Sequence, residues 1–192
     1  MKEIIKKDIE AYAREYGLLG DKAMRREDDK AIRREDDKAK GFALFKAWLH
    51  LMLHNRSFRS LYYARKGKLS KLYSWLLPGE PTLHIPFNNK ICGGVMFFHS
   101  YGTIISPIAK VGEGCRITCN ITIGYKDGKS PIIGKNVEIL PGAVIAGDVT
   151  IGDDCVIGPN AVVYKSVPAN CVVVGNPGYI LKENGVIVNR KL

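Results

Sequence analysis

An aliphatic residue returns at every sixth position over most of the segment from Val111 to Pro168. The residues in register are Val111, Ile117, Ile123, Ile133, Ile139, Ile145, Ile151, Ile157 and Val163. A helix places apolar residues three and four positions apart and a half-buried strand places them two apart, so neither explains this period. The period predicts a β-solenoid, in which each hexad forms a short strand and a turn and the coils stack as parallel strands about 4.8 Å apart.

A second position of each hexad is also small or aliphatic, and we expect it to help fill the interior. Its members are Cys115, Ile121, Val137, Ala143, Val149, Cys155, Ala161 and Val167. The register is interrupted once, because ten residues separate Ile123 from Ile133. We expect the extra residues of YKDGKSPI to leave the coil as a loop, and polar loops on a rigid scaffold often carry binding residues.

The flanking segments predict a mainly β protein with a helical N-terminal region. Residues 1–80 show helical spacing of apolar side chains, first at Ile5, Ile9, Tyr12 and Tyr16 and again from 41 to 77. Between these lies a charged repeat at 24–39, MRREDDKA followed by IRREDDKA, which is typical of a solvated helix or a mobile linker. We expect the solenoid to occupy residues 81–182 and a C-terminal tail to follow at 183–192.

Composition indicates the size of the core and the cellular compartment of the protein. With 192 residues, of which 46% are hydrophobic, the chain can bury a normal core in one or two domains. Its apolar runs are far shorter than the ~20 residues that cross a bilayer, and its N-terminus lacks a signal-peptide core. Five cysteines without a CxxC pair agree with a reducing compartment. We therefore expect a cytoplasmic protein.

The net charge of +10 is unevenly spread. Residues 41–80 contain seven Lys or Arg residues and a single acid, Glu80. Basic helices with exposed aromatic side chains can bind an anionic membrane surface, so peripheral membrane contact through residues 41–77 is one hypothesis. The alternative is that their apolar face packs on the solenoid or on a neighbouring subunit. No nucleic-acid partner is expected.

Histidine is the remaining candidate for chemistry, since the sequence has no Gly-rich phosphate loop, no Ser elbow and no zinc spacing. His99, in FFHSYG, precedes the regular repeat, and a neutral imidazole there could take a proton from a hydroxyl that attacks a thioester. A structural role for His99 is the alternative. A zinc hydratase needs three histidine ligands, and only His84 and His99 lie in or beside the solenoid. We expect no metal.

Two segments resemble the hexapeptide-repeat acyltransferases, and within them the serine acetyltransferase branch. HSYGTIISPIAKVGEGCRITCNITIG resembles the segment that carries the catalytic histidine, and VPANCVVVGNPGYI resembles the closing signature. The resemblance covers about residues 83–182. It implies a left-handed parallel β-helix, a homotrimer, acetyl-CoA as co-substrate, direct O-acetyl transfer and His99 as general base. A solenoid that binds a partner or polysaccharide without catalysis is a further hypothesis.

The same resemblance shows three departures at the acceptor site. His84 stands where the serine enzymes have the aspartate that orients the catalytic histidine, so His84 is the positional candidate for this role. Phe98 replaces an aspartate that holds the amino group of serine, and Ser130 lies where a second histidine is expected. FRSLYYARKGK, before the solenoid, resembles polysaccharide acetyltransferases. We therefore expect a small-molecule or lipid-linked sugar as acceptor in surface polysaccharide synthesis, with serine O-acetylation for cysteine biosynthesis as the alternative.

The resemblance also assigns the remaining site residues. The pantetheine arm of acetyl-CoA is expected against the backbone near Pro141, Gly142, Pro159 and Asn160. The family usually has an alanine and a basic residue where Gly178 and Tyr179 stand, so Lys165 or Lys182 is expected to reach the coenzyme phosphate instead. Phe98, Tyr125 and Ser130 are expected to line the acceptor pocket.

Overall fold

The computed structural model describes residues 2–19, 33–66, 70, 74–86 and 90–192. In this part of the chain three helices, α1 (Lys2–Glu15), α2 (Arg33–His54) and α3 (Arg56–Lys66), precede fifteen strands. The strands are β1 (Lys90–Ile91), β2 (Met96–Phe97), β3 (Ile104–Ile105), β4 (Lys110–Val111), β5 (Arg116–Ile117), β6 (Thr122–Gly124), β7 (Ile132–Ile133), β8 (Glu138–Ile139), β9 (Val144–Ala146), β10 (Thr150–Ile151), β11 (Val156–Ile157), β12 (Val162–Val163), β13 (Cys171–Val174), β14 (Tyr179–Glu183) and β15 (Val186–Lys191).

The strands wind into a three-sided solenoid of about four coils. Sheet 1 has the strand order β1-β4-β7-β10, sheet 3 has β3-β6-β9-β12, and sheet 2 runs from β2 through β5, β8 and β11 to β13. These pairings are parallel, so equivalent residues of successive coils lie on top of one another, as Val111 does on Ile133. The predicted mainly β solenoid with a helical N-terminal region is confirmed.

The interior consists of the two hexad positions that the sequence repeat singled out. All nine members of the first position and all eight of the second are at most 3% exposed. Cys115 and Cys155 belong to this interior, and burial raises the pKa of the Cys115 thiol to about 11. These two cysteines therefore act as small buried apolar residues, as expected.

The last coil is closed by a meander of strands. β14 pairs antiparallel with β13, and β15 pairs antiparallel with β14. Leu192 then returns to the body and packs against the hydrophobic core. The expected C-terminal tail, 183–192, thus contains strand β15, while the domain boundaries at 80 and 182 remain predictions.

The helices cover the first coil, where β2 is the edge of sheet 2. Tyr12 of α1 and Phe58 of α3 are both buried and meet edge to face, with ring centroids 5.2 Å apart. The predicted helical face of α1 is thereby confirmed for Tyr12, although Tyr16 is half exposed. Residues 24–32 of the charged repeat lie outside the described residues, and 33–39 are helical within α2.

A buried ion pair joins the helices to the first coil. Arg65 of α3 donates to the carboxylate of Asp8 of α1 at 3.1 Å, and these side chains are only 7% and 3% exposed. Arg65 also donates to the carbonyl oxygen of Cys92, while Asp8 accepts from the amide of Gly94 at 2.9 Å. Burial raises the pKa of the Asp8 carboxyl, and the Arg65 guanidinium opposes that shift.

We expect Arg65→Met to lower the free energy of unfolding by about 3–5 kcal/mol at pH 7, because it leaves the Asp8 carboxylate buried without its cation. Since the folded pKa of Asp8 is then raised further above its unfolded value, this loss should shrink as the pH falls toward 4. Urea unfolding at both pH values measures the effect. Lys7→Met is the matched control, because the Lys7–Glu113 pair is exposed and its loss should change stability far less.

Candidate active site

His99 lies in a strained turn at the end of β2. Its φ is +46°, in the left-handed region that a non-glycine residue adopts at a cost, and its side chain is exposed. The carbonyl oxygen of His99 accepts from the amide of Tyr101 at 2.8 Å, which closes the turn. The imidazole is therefore held outside the packed interior, where a substrate can reach it.

Two helices determine where this turn sits. The buried hydroxyl of Tyr12 in α1 accepts from the amide of Phe97 at 2.8 Å, just before the turn. The hydroxyl of Ser100, just after His99, lies 2.8 Å from the hydroxyl of Ser57 in α3. His99 is thus anchored on both sides by groups from the helical region, although it belongs to the solenoid.

A cleft of about 250 Å³ opens at this junction. Its walls come from the end of α1, the α2–α3 connection, the turn before the solenoid and the His99 turn. The lining residues are Tyr16, His54, Asn55, Arg56, Ser57, Glu80, Phe97, His99, Ser100 and Tyr101. The lining of the cleft therefore includes two histidines, an arginine and a glutamate.

The residues expected to hold the pantetheine arm form a column above the His99 turn. The amide of Asn120 donates to the carbonyl of Tyr101, that of Gly142 to Cys119, and that of Asn160 to Pro141. The turns that connect sheet 2 to sheet 3 are thus stacked from the His99 turn to Asn160. The structure brings Pro141, Gly142, Pro159 and Asn160 onto the same corner as His99.

The predicted loop lies on a different corner of the same chain, between sheets 3 and 1. Tyr125 is two-thirds exposed, and the hydroxyl of Ser130 is buried without a hydrogen-bond partner among the described residues. A second cavity of about 690 Å³ adjoins the loop. It is lined by Lys126, Asp127, Lys129, Ala146, Gly147, Asp148 and Tyr164. Within one chain, the structure does not bring Tyr125 and Ser130 to the His99 cleft.

The other four residues predicted to belong to the site lie in different places on the chain. His84 is exposed and pairs through its backbone with the strand at Ile104, on sheet 3. The ring of Phe98 packs under the Arg116 guanidinium, 4.7 Å away. Lys165 donates to the carbonyl of Leu192 at 2.8 Å, and Lys182 is exposed on β14. His84 and Phe98 are not among the residues that line the cleft, so their proposed roles stay predictions.

Sequence reasoning missed the helical side of the cleft, above all Arg56 and Glu80. Neither residue belongs to the hexad period, and Ser57 is 43 positions from its partner Ser100. A local signal was available only for the start of α3, where the side chain of Asn55 accepts from the amide of Phe58 at 2.8 Å as an N-cap. No spacing rule connects that cap with a histidine in the solenoid.

No group of three or more His, Cys, Asp or Glu side chains that could hold a metal ion occurs in the described part of the chain.

The stacked hexads and the exposed histidine at their first corner define a hexapeptide-repeat transferase. Residues 130–165 match the family model "Bacterial transferase hexapeptide (six repeats)". The chain is 32% identical over 142 residues to a serine acetyltransferase of Staphylococcus xylosus, covering 72% of this chain and 63% of that protein. It is 31% identical over 151 residues to a serine acetyltransferase of Staphylococcus aureus strain Mu50, covering 77% and 68%.

Solved structures agree with this fold. The Neisseria gonorrhoeae serine acetyltransferase in complex with serine superposes with a TM-score of 0.65 at 20% identity, over 94% of this chain and 69% of that one. The Brucella abortus enzyme superposes with a TM-score of 0.57 at 25% identity, over 96% and 69%. The chain belongs to the hexapeptide-repeat acyltransferases, in their serine acetyltransferase-like branch. It spans about two thirds of the length of these relatives.

The expectation of a sugar acceptor is wrong, because the curated relatives are serine acetyltransferases. It rested partly on FRSLYYARKGK, which in the structure is mostly helix α3 and supplies packing through Phe58, Leu61 and Tyr63. The missing charges that favoured a sugar concern positions of the solenoid only. The cleft is also lined by Arg56 and Glu80, which lie outside the hexad repeat.

The Ser57–Ser100 contact predicts a measurable coupling between α3 and the His99 turn. We expect Ser57→Ala and Ser100→Ala each to lower the free energy of unfolding by about 1 kcal/mol and the double variant to lose little more, because one hydrogen bond is shared. Urea unfolding of the four proteins gives the coupling energy. Ser57→Ala combined with Ser166→Ala, from the last coil, should be additive. Additivity for Ser57 and Ser100 would contradict the contact.

Proposed function

We propose that this protein transfers the acetyl group of acetyl-CoA to the hydroxyl of L-serine, with His99 as general base. The observation that carries the proposal is the exposed imidazole of His99 at the foot of the column of turns, inside a cleft with charged groups of both signs. The serine acetyltransferases at 31% and 32% identity support the same acceptor.

The chemistry is direct transfer. The His99 imidazole accepts the proton of the serine hydroxyl while the hydroxyl oxygen attacks the thioester carbonyl, which forms a new C–O bond. The tetrahedral intermediate then loses the coenzyme thiolate as the C–S bond breaks, and the imidazolium returns the proton to the departing sulfur. Acetyl-CoA is the second substrate and would lie along the column at Pro141, Gly142, Pro159 and Asn160.

A homotrimer is part of this proposal. In one chain the His99 cleft and the loop with Tyr125 and Ser130 occupy different corners of the solenoid. Packing three solenoids side by side would bring the loop of one copy to the His99 corner of the next.

The decisive experiment is His99→Ala. We expect turnover with acetyl-CoA and L-serine to fall at least ~100-fold, because the general base is lost, while the thermal midpoint stays near that of the wild type. Release of the coenzyme thiol measures the rate.

His50→Ala is the matched control, since His50 is also exposed and does not line the cleft, although its ring stacks on that of His54, which does. It should keep nearly full turnover. Near-normal turnover in His99→Ala would remove His99 from the mechanism, and a wild-type protein that releases no thiol with L-serine would remove serine as the acceptor.

We also propose a cytoplasmic location with peripheral membrane contact through α2. No helix in the described part of the chain is long and apolar enough to span a membrane. Ala47 and Leu51 of α2 are buried, yet the helix also exposes Phe42, Phe45 and Leu49, whose side chains are 60%, 55% and 43% accessible. Helix α2 therefore has a second apolar side that the described part of the chain does not bury. The basic charge of residues 41–80 favours contact of this side with an anionic membrane surface.

We expect the wild type to sediment with vesicles that contain phosphatidylserine and not with pure phosphatidylcholine vesicles, and added salt should weaken the binding. Replacing Phe45 and Leu49 by Ser should reduce the bound fraction at least about tenfold, because two apolar side chains leave the interface. Replacing Val186 and Ile187 of β15 by Ser is the matched control. Equal sedimentation of the wild type and the α2 variant would contradict membrane contact.

A further inference from the structure

The cleft beside His99 is lined by two residues of opposite charge, and neither has a charged partner among the described residues. Arg56 is the first residue of α3, and Glu80 lies in the turn before the solenoid. The six ion pairs formed among the described residues involve other side chains, so neither Arg56 nor Glu80 has a charged partner within 4 Å there. Both nevertheless line one small cleft with His99.

Glu80 is held in place relative to His99. Its amide donates to the hydroxyl of Ser60 at 2.8 Å, and its carboxylate accepts from the hydroxyl of Thr82 at 2.9 Å. The same Thr82 hydroxyl accepts from the amide of Gly102, in the turn that carries His99, also at 2.9 Å. The Thr82 side chain therefore links the Glu80 carboxylate to the turn that carries His99.

Arg56 is anchored through its backbone neighbours. Asn55 caps the start of α3, and Ser57 is bonded to Ser100 in the His99 turn. The Arg56 side chain itself is exposed and long enough to move within the cleft. A guanidinium offers parallel donors that match the two oxygens of a carboxylate.

We propose that Arg56 and Glu80 determine the acceptor, with Arg56 binding its α-carboxylate and Glu80 its α-ammonium group, while its hydroxyl faces His99. This inference rests on the proposed function and names the groups that select an amino acid zwitterion. A neutral acceptor would enter the cleft and leave both charges partly desolvated without partners, which is unfavourable. The two charged residues therefore select the acceptor in two ways: they attract a zwitterion, and they make the binding of a neutral acceptor unfavourable.

Arg56 and Glu80, which precede the solenoid, would thus take the recognition role that was expected of Phe98, Tyr125 and Ser130. Those positions carry no carboxylate, and Phe98 packs against Arg116, whose charge is already balanced by Glu15 at 3.1 Å. The amino acid would thus be held by residues outside the hexad repeat, and only its hydroxyl would meet the solenoid.

The test compares three acceptors, since each charge can be removed from the ligand as well as from the protein. L-serinamide lacks the carboxylate of L-serine, and glycerate has a hydroxyl in place of the ammonium group. Arg56→Met should lower kcat/KM for L-serine about 10- to 100-fold, mostly through KM, and leave the rate with L-serinamide within about threefold. Glu80→Gln should lower kcat/KM for L-serine by a similar factor and leave kcat/KM for glycerate nearly unchanged.

Glu80→Gln keeps an oxygen that can accept from Thr82, so the turn should stay folded, and Arg56→Lys should recover part of the L-serine affinity because it restores the charge. Glu3→Gln and Arg14→Met are the matched controls, since both side chains are exposed on α1 and neither lines the cleft. They should leave all three kcat/KM values unchanged.

The outcomes separate this inference from the proposed function. A wild type that does not acetylate L-serine overturns the proposed function and the inference with it. A wild type that does, together with Arg56 and Glu80 variants that lose the same factor with every acceptor or lose nothing, overturns only the inference. Loss that depends on the matching ligand charge supports it.

Discussion

The structure depends on the stacking of identical positions in successive coils. Each face of the solenoid places one aliphatic side chain on its equivalent in the next coil, as Ile133 lies on Ile151. The close approach extends to the backbone beside these residues. A Cβ on Gly112 would lie 2.2 Å from the carbonyl oxygen of Gly134, and one on Gly152 would lie 2.3 Å from the amide nitrogen of Ala169. Small residues at these positions are therefore a condition for stacking.

A stack of coils has two open ends. The candidate active site lies at the end that the first coil forms. The strand edge at β2 needs a cover, since an exposed edge can pair with other chains. Helices α1 and α3 supply it through Tyr12, Phe58 and the Asp8–Arg65 pair. Because the His99 turn lies at this end, the same helices that close the solenoid also form one wall of the cleft.

The expectation of a sugar acceptor was wrong because it depended on a few family positions in one segment. Positions 84 and 98 of the solenoid carry no carboxylate, yet charged residues from other segments line the cleft. Arg56 and Glu80 reach the cleft from a helix start and a turn, and their distance from His99 along the chain gives no sign of it. A charge missing from one segment can be supplied by another, so a single-segment comparison underestimates the polarity of a site.

The sequence alone determined the solenoid, its interior residues and the position of the loop after Ile123, because a six-residue period depends only on neighbours in the chain. The catalytic role of His99 rests on the family resemblance and stays a prediction. The coenzyme-binding role expected for the corner at Pro141 and Asn160 came from the family resemblance and stays a prediction. Only the tertiary structure decided which helical residues face His99, that Lys165 reaches the C-terminal residue, and that Tyr125 and Ser130 lie on another corner. The lining of the His99 cleft depends on how the helices dock on the first coil. Docking is set by burial and by long-range pairs such as Asp8 with Arg65, about which the hexad period contains no information.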